Sequence, residues 1–150
     1  MALYALSVLV HVVAAMAWVG SMIFFSAVVI PVARRAEIQR GAPGLILALG
    51  KRYRALAWIA LSVLVVTGVT NLYFRGIGWS FLASRAFWAT SFGRALGWKL
   101  GFVAAVIALT AAHDAFAMRG RRTASWVGRI VLVASLAVVF FATAMVRGIL

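Results

Sequence analysis

Residues 2–32 read ALYALSVLVHVVAAMAWVGSMIFFSAVVIPV and contain no Asp, Glu, Lys or Arg. An α-helix needs about 20 predominantly apolar residues to cross the hydrocarbon core of a bilayer. This stretch is therefore long enough for a membrane span. No basic segment precedes it, and it is longer than the apolar core of a cleaved signal peptide. We expect it to be retained as the first of several spans.

Three further apolar runs follow, and the composition of the whole chain agrees with a membrane protein. Of the 150 residues, 66% are hydrophobic and 11% are charged, whereas an average soluble domain is about 45–50% apolar and about 25% charged. We predict spans at about 3–32, 55–74, 93–118 and 124–146. The sequence thus predicts an all-α fold, with residues 1–150 forming a single transmembrane domain built as a four-helix up-down bundle.

The net charge of +13 comes mainly from basic residues at the ends of these runs. Such residues mark cytoplasmic loops and contact anionic headgroups, so we expect no nucleic-acid binding. The first and third loops carry ten basic residues and the other side carries four. This asymmetry predicts an inner (plasma) membrane protein of bacterial type with both termini on the non-cytoplasmic side. The basic residues of the two rich loops are Arg34, Arg35, Arg40, Lys51, Arg52, Arg54, Arg119, Arg121, Arg122 and Arg129.

Four polar residues are predicted to lie in the outer half of the bundle. Counted from the middle of each span at 1.5 Å per residue, His11, Asn71, Lys99 and Thr143 fall roughly 9–12 Å toward the outer side. Thr67 lies one turn from Asn71 on the same face, and polar groups at this depth tend to face the bundle interior. The second loop, residues 75–92, is rich in aromatic residues and is predicted to form either an interfacial anchor or a lid.

This cluster is open to three interpretations. A neutral imidazole at His11 is a ligand for haem iron, Lys99 is a partner for a propionate, and Trp18 with Met22 would form an apolar wall. A metal ion, copper above all, is the second interpretation, with His11 and Met145 as ligands and His113 at a separate, cytoplasmic position. In the third, His11 hydrogen-bonds a neighbouring helix and no cofactor is bound. There are no cysteines, so thiolate sites are excluded.

A stripe of small residues on the third span predicts close helix packing. Gly93, Gly97 and Gly101 form two overlapping G-x-x-x-G motifs, which allow the backbones of two helices to approach each other closely. A homodimer through this stripe is one possibility, and packing within the chain is the other.

The spacing of His11, Trp18 and Gly20, with Pro31 near the helix end, resembles the copper-resistance D (CopD-like) membrane family. The stretches TGVTN (67–71) and GWKL (97–100) look like later helices of that family. The His-x6-Trp pattern and the third-span Lys99 also resemble, more distantly, the HemJ-type membrane haem proteins.

These resemblances imply haem or copper as the ligand. We expect a small membrane protein that binds a b-type haem for electron transfer or a haem-linked redox step. A copper-homeostasis protein and a cofactor-free subunit or scaffold are the alternatives. No electron donor, acceptor or quinone is identified by the sequence.

Overall fold

The computed structural model describes residues 1–40, 44–118 and 123–147, and none of these residues forms a β-strand. The side chains of residues 37–40, 46, 118, 123–125 and 144–147 lie outside this description. In chain order the elements are α1 (Ala2–Phe24), a π-helical turn (Phe25–Val29), α2 (Ile30–Arg40), α3 (Leu45–Phe74), α4 (Trp79–Ala83), α5 (Arg85–Ala89), α6 (Ser91–Met118) and α7 (Thr123–Arg147).

Within the described ranges, four helical stretches are long and apolar enough to cross a membrane. They are Ala2–Ala36, Leu47–Phe74, Ser91–Ala117 and Trp126–Thr143. The prediction of an all-α fold with four membrane helices is therefore confirmed. Many large apolar side chains on these helices are exposed, as expected for surfaces that contact lipid.

The second membrane helix begins earlier than the sequence suggested. The span was predicted from residue 55 because Lys51, Arg52 and Arg54 interrupt the apolar run, but α3 already begins at Leu45. An apolar run indicates which part of a helix lies in the hydrocarbon core of the bilayer, but it does not indicate at which residue the helix begins. Basic side chains are tolerated on a helix that continues into the headgroup region, because their long stems reach back to water.

The chain divides into two compact units, Met1–Phe74 and Arg75–Leu150, and the single transmembrane domain stays a prediction. In unit 1 (Met1–Phe74), α1 and α3 pack as an antiparallel pair. Tyr4 contacts Phe74 near the start of α1, and Phe25 stacks on Tyr53 at the other end. The buried apolar residues of this unit are Ala14, Trp18, Ala33, Ala57 and Leu61.

The π-helical turn lies within the first membrane span. The backbone N–H of Ile30 bonds to the carbonyl of Phe25, five residues back instead of four. The next residue, Pro31, has no backbone N–H to donate and therefore cannot support the regular α-helical pattern at this point. The turn keeps the span helical across the proline, and α2 follows directly.

In unit 2 (Arg75–Leu150), α6 and α7 form the second antiparallel pair. Phe141 stacks against Phe102, with ring centroids 5.4 Å apart. Ala95, Leu96, Val106 and Val131 are buried in this unit. The aromatic second loop, predicted to be an interfacial anchor or a lid, forms two short helices, α4 and α5.

Candidate functional site

His11 makes a direct hydrogen bond to the neighbouring helix of unit 1. Its Nδ1 lies 2.7 Å from the hydroxyl oxygen of Thr67 on α3. The same hydroxyl lies 2.6 Å from the carbonyl oxygen of Val63, one turn earlier on α3. Thr67 thus connects the imidazole to the backbone of the helix on which Thr67 itself lies.

This geometry determines which ring nitrogen carries the proton. A threonine hydroxyl has a single proton, and the 2.6 Å contact requires that proton to point at the Val63 carbonyl. The Thr67 oxygen can then only accept, so His11 Nδ1 donates its N–H to it. In the neutral ring the lone pair consequently belongs to Nε2. Histidines that ligate metals are oriented in this way, by a hydrogen bond from the other ring nitrogen.

Gly68 allows His11 to approach α3 closely. A Cβ atom added at Gly68 would lie 3.5 Å from His11 Cε1, so the ring packs directly over this residue. A larger side chain at position 68 would push the imidazole away from Thr67. Thr67 and Gly68 together therefore define the position of the His11 ring.

A second pair of polar residues lies one turn from the first. Ser7 precedes His11 by four residues on α1, and Asn71 follows Thr67 by four residues on α3. Since α1 and α3 run antiparallel, Ser7 and Asn71 lie at the same level, between the His11–Thr67 bond and the Tyr4–Phe74 contact. Ser7 Oγ and Asn71 Oδ1 are both buried and make no hydrogen bond. We call Ser7, His11, Thr67 and Asn71 the polar seam.

The two residues predicted as an apolar wall are positioned differently from each other. Trp18 is 4% exposed, and Met22 is half-buried. An apolar groove of about 530 Å³ also runs along unit 1, and its lining includes neither residue, nor His11. The groove is therefore separate from the predicted cofactor wall. Among its lining residues are Leu9, Val13, Ala17, Tyr53, Leu56 and Val63.

The remaining members of the predicted outer cluster belong to unit 2. Lys99 is half-buried on α6. Thr143 on α7 is exposed and donates its hydroxyl proton to the carbonyl of Val139, 2.9 Å away. The structure thus brings His11 and Asn71 into one seam, whereas Lys99 and Thr143 as partners of His11 stay a prediction.

His113 packs within unit 2 in a manner similar to His11 in unit 1. Its Nε2 would lie 3.4 Å from a Cβ atom at Gly128 on α7. Its Nδ1 lies 3.7 Å from a carboxylate oxygen of Asp114. Met145, the predicted second copper ligand, lies outside the residues whose side chains are described. Among the described residues, no group of three or more His, Asp or Glu side chains is placed to hold a metal ion.

Much of the glycine stripe of α6 is in contact with its own chain. A Cβ atom at Gly93 would overlap the carbonyl group of Phe87, and one at Gly97 would lie 3.5 Å from the Trp88 ring. Only at Gly101 does such an atom meet nothing within 4 Å. Gly93 and Gly97 therefore serve packing of α5 on α6, and Gly101 is the member of the stripe that is open for another contact.

Two residues of the polar seam were not among the predicted cofactor residues. Thr67 had been placed on the face of Asn71 but was assigned no contact with another helix. The signal available in the sequence was the matching four-residue spacing, 7 to 11 and 67 to 71. That spacing places each pair on one helix face, but only the register between α1 and α3 makes the two faces meet.

Comparisons with protein-family models, with curated proteins and with solved structures gave no match for this chain. The resemblance to CopD-like and HemJ-type proteins accordingly stays a prediction based on short motifs.

Proposed function

We propose that this protein binds a b-type haem through His11 and serves in electron transfer or a haem-linked redox step. The observation that carries the proposal is the hydrogen bond from His11 Nδ1 to Thr67, whose own proton is committed to Val63. This bond orients the ring and assigns the lone pair to Nε2, the arrangement typical of a ligating histidine. A haem, when bound, supplies one-electron redox chemistry.

The candidate residues have different roles in the proposed haem site. His11 holds the iron, and Thr67 keeps the imidazole in the required tautomer. Lys99 provides a positive charge for a propionate. Asn71 and Thr143 supply polar groups, and Trp18 with Met22 supply apolar surface. Among the side chains that the structure describes, no contact favours copper over haem, so His11, Met145 and His113 as copper ligands stay the alternative.

The same hydrogen bond would also hold two helices together in a protein without a cofactor. Interhelical hydrogen bonds in membranes contribute on the order of 0.6 kcal/mol on average. A cofactor-free subunit is thus distinguished from a haem protein only by measuring the cofactor itself.

The test is an absorption spectrum of the detergent-purified protein from haem-replete cells, oxidised and then dithionite-reduced. We expect a Soret band that sharpens on reduction and is absent in His11→Ala. His113→Ala is the matched control, because it also removes a histidine packed over a glycine, and its spectrum should equal that of the wild type. A wild-type preparation without visible absorption would overturn the proposal, and elemental analysis for copper would follow.

The proposal also covers the membrane in which the protein lies, the side on which its termini lie and the surface of a homodimer. We propose that the protein lies in a bacterial-type inner membrane with both termini on the non-cytoplasmic side, as the basic loops indicate. We also propose that a homodimer, if the protein forms one, uses the exposed Gly101 part of the glycine stripe. Gly93 and Gly97 are covered by α5 of the same chain.

A further inference from the structure

Ser7 and Asn71 present two buried oxygen atoms without hydrogen-bond partners in the same seam. A buried polar atom without a partner loses its hydrogen bonds to water and gains none in return, so native proteins rarely leave one unsatisfied. Several hydroxyl groups on the membrane helices α3 and α7 avoid this cost by donating their proton to the backbone carbonyl four residues back. Thr67, Thr70, Ser135 and Thr143 all do so. Ser7 does not.

The register of unit 1 places Ser7 and Asn71 at the same level along the paired helices α1 and α3. The His11–Thr67 bond lies one turn to one side of them, and the Tyr4–Phe74 contact, with ring centroids 6.0 Å apart, lies to the other. The space between α1 and α3 at this level is therefore bounded by a hydrogen bond below and by two aromatic rings above. Both atoms are shielded from the surroundings.

The chemistry of the two atoms defines what can bind between them. Asn71 Oδ1 is an acceptor only, and the Ser7 hydroxyl is both a donor and an acceptor. They make no direct hydrogen bond to each other. A molecule that donates to Asn71 and accepts from Ser7 satisfies both, and it has to be small because both atoms are fully enclosed. Water has these properties and typically makes 2–4 hydrogen bonds when buried.

We propose that an internal water molecule bridges Ser7 Oγ and Asn71 Oδ1 in the polar seam. Ser7 and Asn71 lie one helical turn, about 5.4 Å along the axis, from the level of the His11–Thr67 bond. The bridging water therefore continues the polar contacts between α1 and α3 by one turn, from the His11–Thr67 bond toward the Tyr4–Phe74 contact. The site shares Asn71 with the proposed haem site, but none of its contacts involves His11 Nε2, so the water does not require a haem.

Thermal unfolding of the purified protein, followed by tryptophan fluorescence, gives the first test. Ser7→Ala and Asn71→Leu should each lower Tm, on the order of 2–4 °C, because each leaves the water and the remaining partner incompletely satisfied. The double variant should lose little more than the larger single loss. If the two atoms are instead dry, each substitution removes an unsatisfied group and Tm rises. A rise would overturn the proposal.

Thr110→Val is the matched control for this measurement. Thr110 Oγ1 in unit 2 is also buried without a partner, but the described residues place no second unsatisfied oxygen in that unit. No bridge is therefore expected there, and Tm should stay equal or rise. The same sign of change in Thr110→Val and in the two seam variants would show that the seam is not special, which contradicts the proposal.

Solid-state NMR on protein in lipid bilayers detects the water directly, in the dithionite-reduced state if the preparation is coloured. We expect magnetisation transfer from water to the Asn71 side-chain amide, and its loss in Ser7→Ala. The indole N–H of Trp18, buried in the same unit, serves as an internal reference and should receive none. Absence of transfer to Asn71, or transfer that persists in Ser7→Ala, overturns the proposal whatever the Tm values are. The spectral test of haem binding is independent of both outcomes.

Discussion

The hydroxyl of Thr67 accepts the N–H of His11 and donates its own proton to the Val63 carbonyl. At the scale of single residues, this double role means that Thr67 orients the His11 ring, which its position on a helix face alone did not predict. A serine at this position would retain both bonds, whereas a valine of nearly the same shape would retain neither. The pair of substitutions therefore separates the hydroxyl from the volume of the side chain.

We predict that Thr67→Val weakens haem binding about 10–100-fold, the range seen when the group that orients a ligating histidine is removed. Thr67→Ser should bind haem as the wild type does. Titration of the haem-free protein with haem, followed at the Soret band, measures the affinity.

Thr70→Val is the control for this prediction. It also removes a hydroxyl that donates to the carbonyl four residues back, to Val66 on the same helix. Its affinity should be unchanged. Equal losses in Thr67→Val and Thr70→Val would mean that helix stability, not the orientation of His11, determines binding.

At the scale of elements, the joint between α5 and α6 is held by several specific contacts. The hydroxyl of Thr90 accepts the backbone N–H of Gly93 at 3.0 Å, which is the usual capping bond at the start of a helix. Trp88 donates its indole N–H to the carbonyl of Leu82 and lies over Gly97. The Trp88 ring thus packs α5 on α6, whereas the bond from Trp88 to Leu82 joins α5 to α4. Trp79 and Phe81 of α4 are exposed.

We predict that Gly93→Ala destabilises the protein by about 1–3 kcal/mol, the cost of inserting a methyl group into a packed site. The added Cβ would overlap the backbone of Phe87, which cannot rotate away as a flexible side chain would. Thermal or denaturant unfolding in detergent measures the change.

Gly101→Ala lies two helical turns further along α6 and meets no atom within 4 Å. It should be neutral or slightly stabilising, because alanine is the better helix former. A similar loss of stability in both variants would show that helix flexibility, and not the contact with α5, is what Gly93 provides.

At the scale of the whole molecule, the distribution of basic residues predicts a single orientation in the membrane. The chain has no cysteine, so single-cysteine variants report accessibility without background labelling. In intact cells we expect a membrane-impermeant maleimide to label Ser84→Cys, in the loop between α4 and α5. Ala42→Cys, between α2 and α3, should be labelled only after permeabilisation. The reverse pattern would place the termini in the cytoplasm.

For the whole molecule, some features of the fold were predicted from the sequence and others were not. Length and hydrophobicity gave the four membrane helices correctly, because lipid requires long apolar helices. The early start of α3 at Leu45 was missed, because charge marks the membrane surface and not a helix end. Helical periodicity placed Thr67 and Asn71 on one face, but contacts such as His11–Thr67 and Phe87–Gly93 depend on how two helices meet. That register is set by packing along the full length of both helices.

The π-helical turn at Phe25–Val29 gives the first span one residue more than a regular α-helix would use over the same length. Each residue turns a helix by about 100°. Because the π-helical turn contains one extra residue, the residues that share one face before the turn are not at regular α-helical spacing from those that share that face after it. A single-residue deletion between Phe25 and Val29 would bring both halves into one phase. Everything downstream, including the buried Ala33, would keep the face that it occupies now, because the deletion removes the one residue that the π-helical turn adds. Any alignment that matches the first span of this chain to a regular α-helix therefore has to place a one-residue gap there.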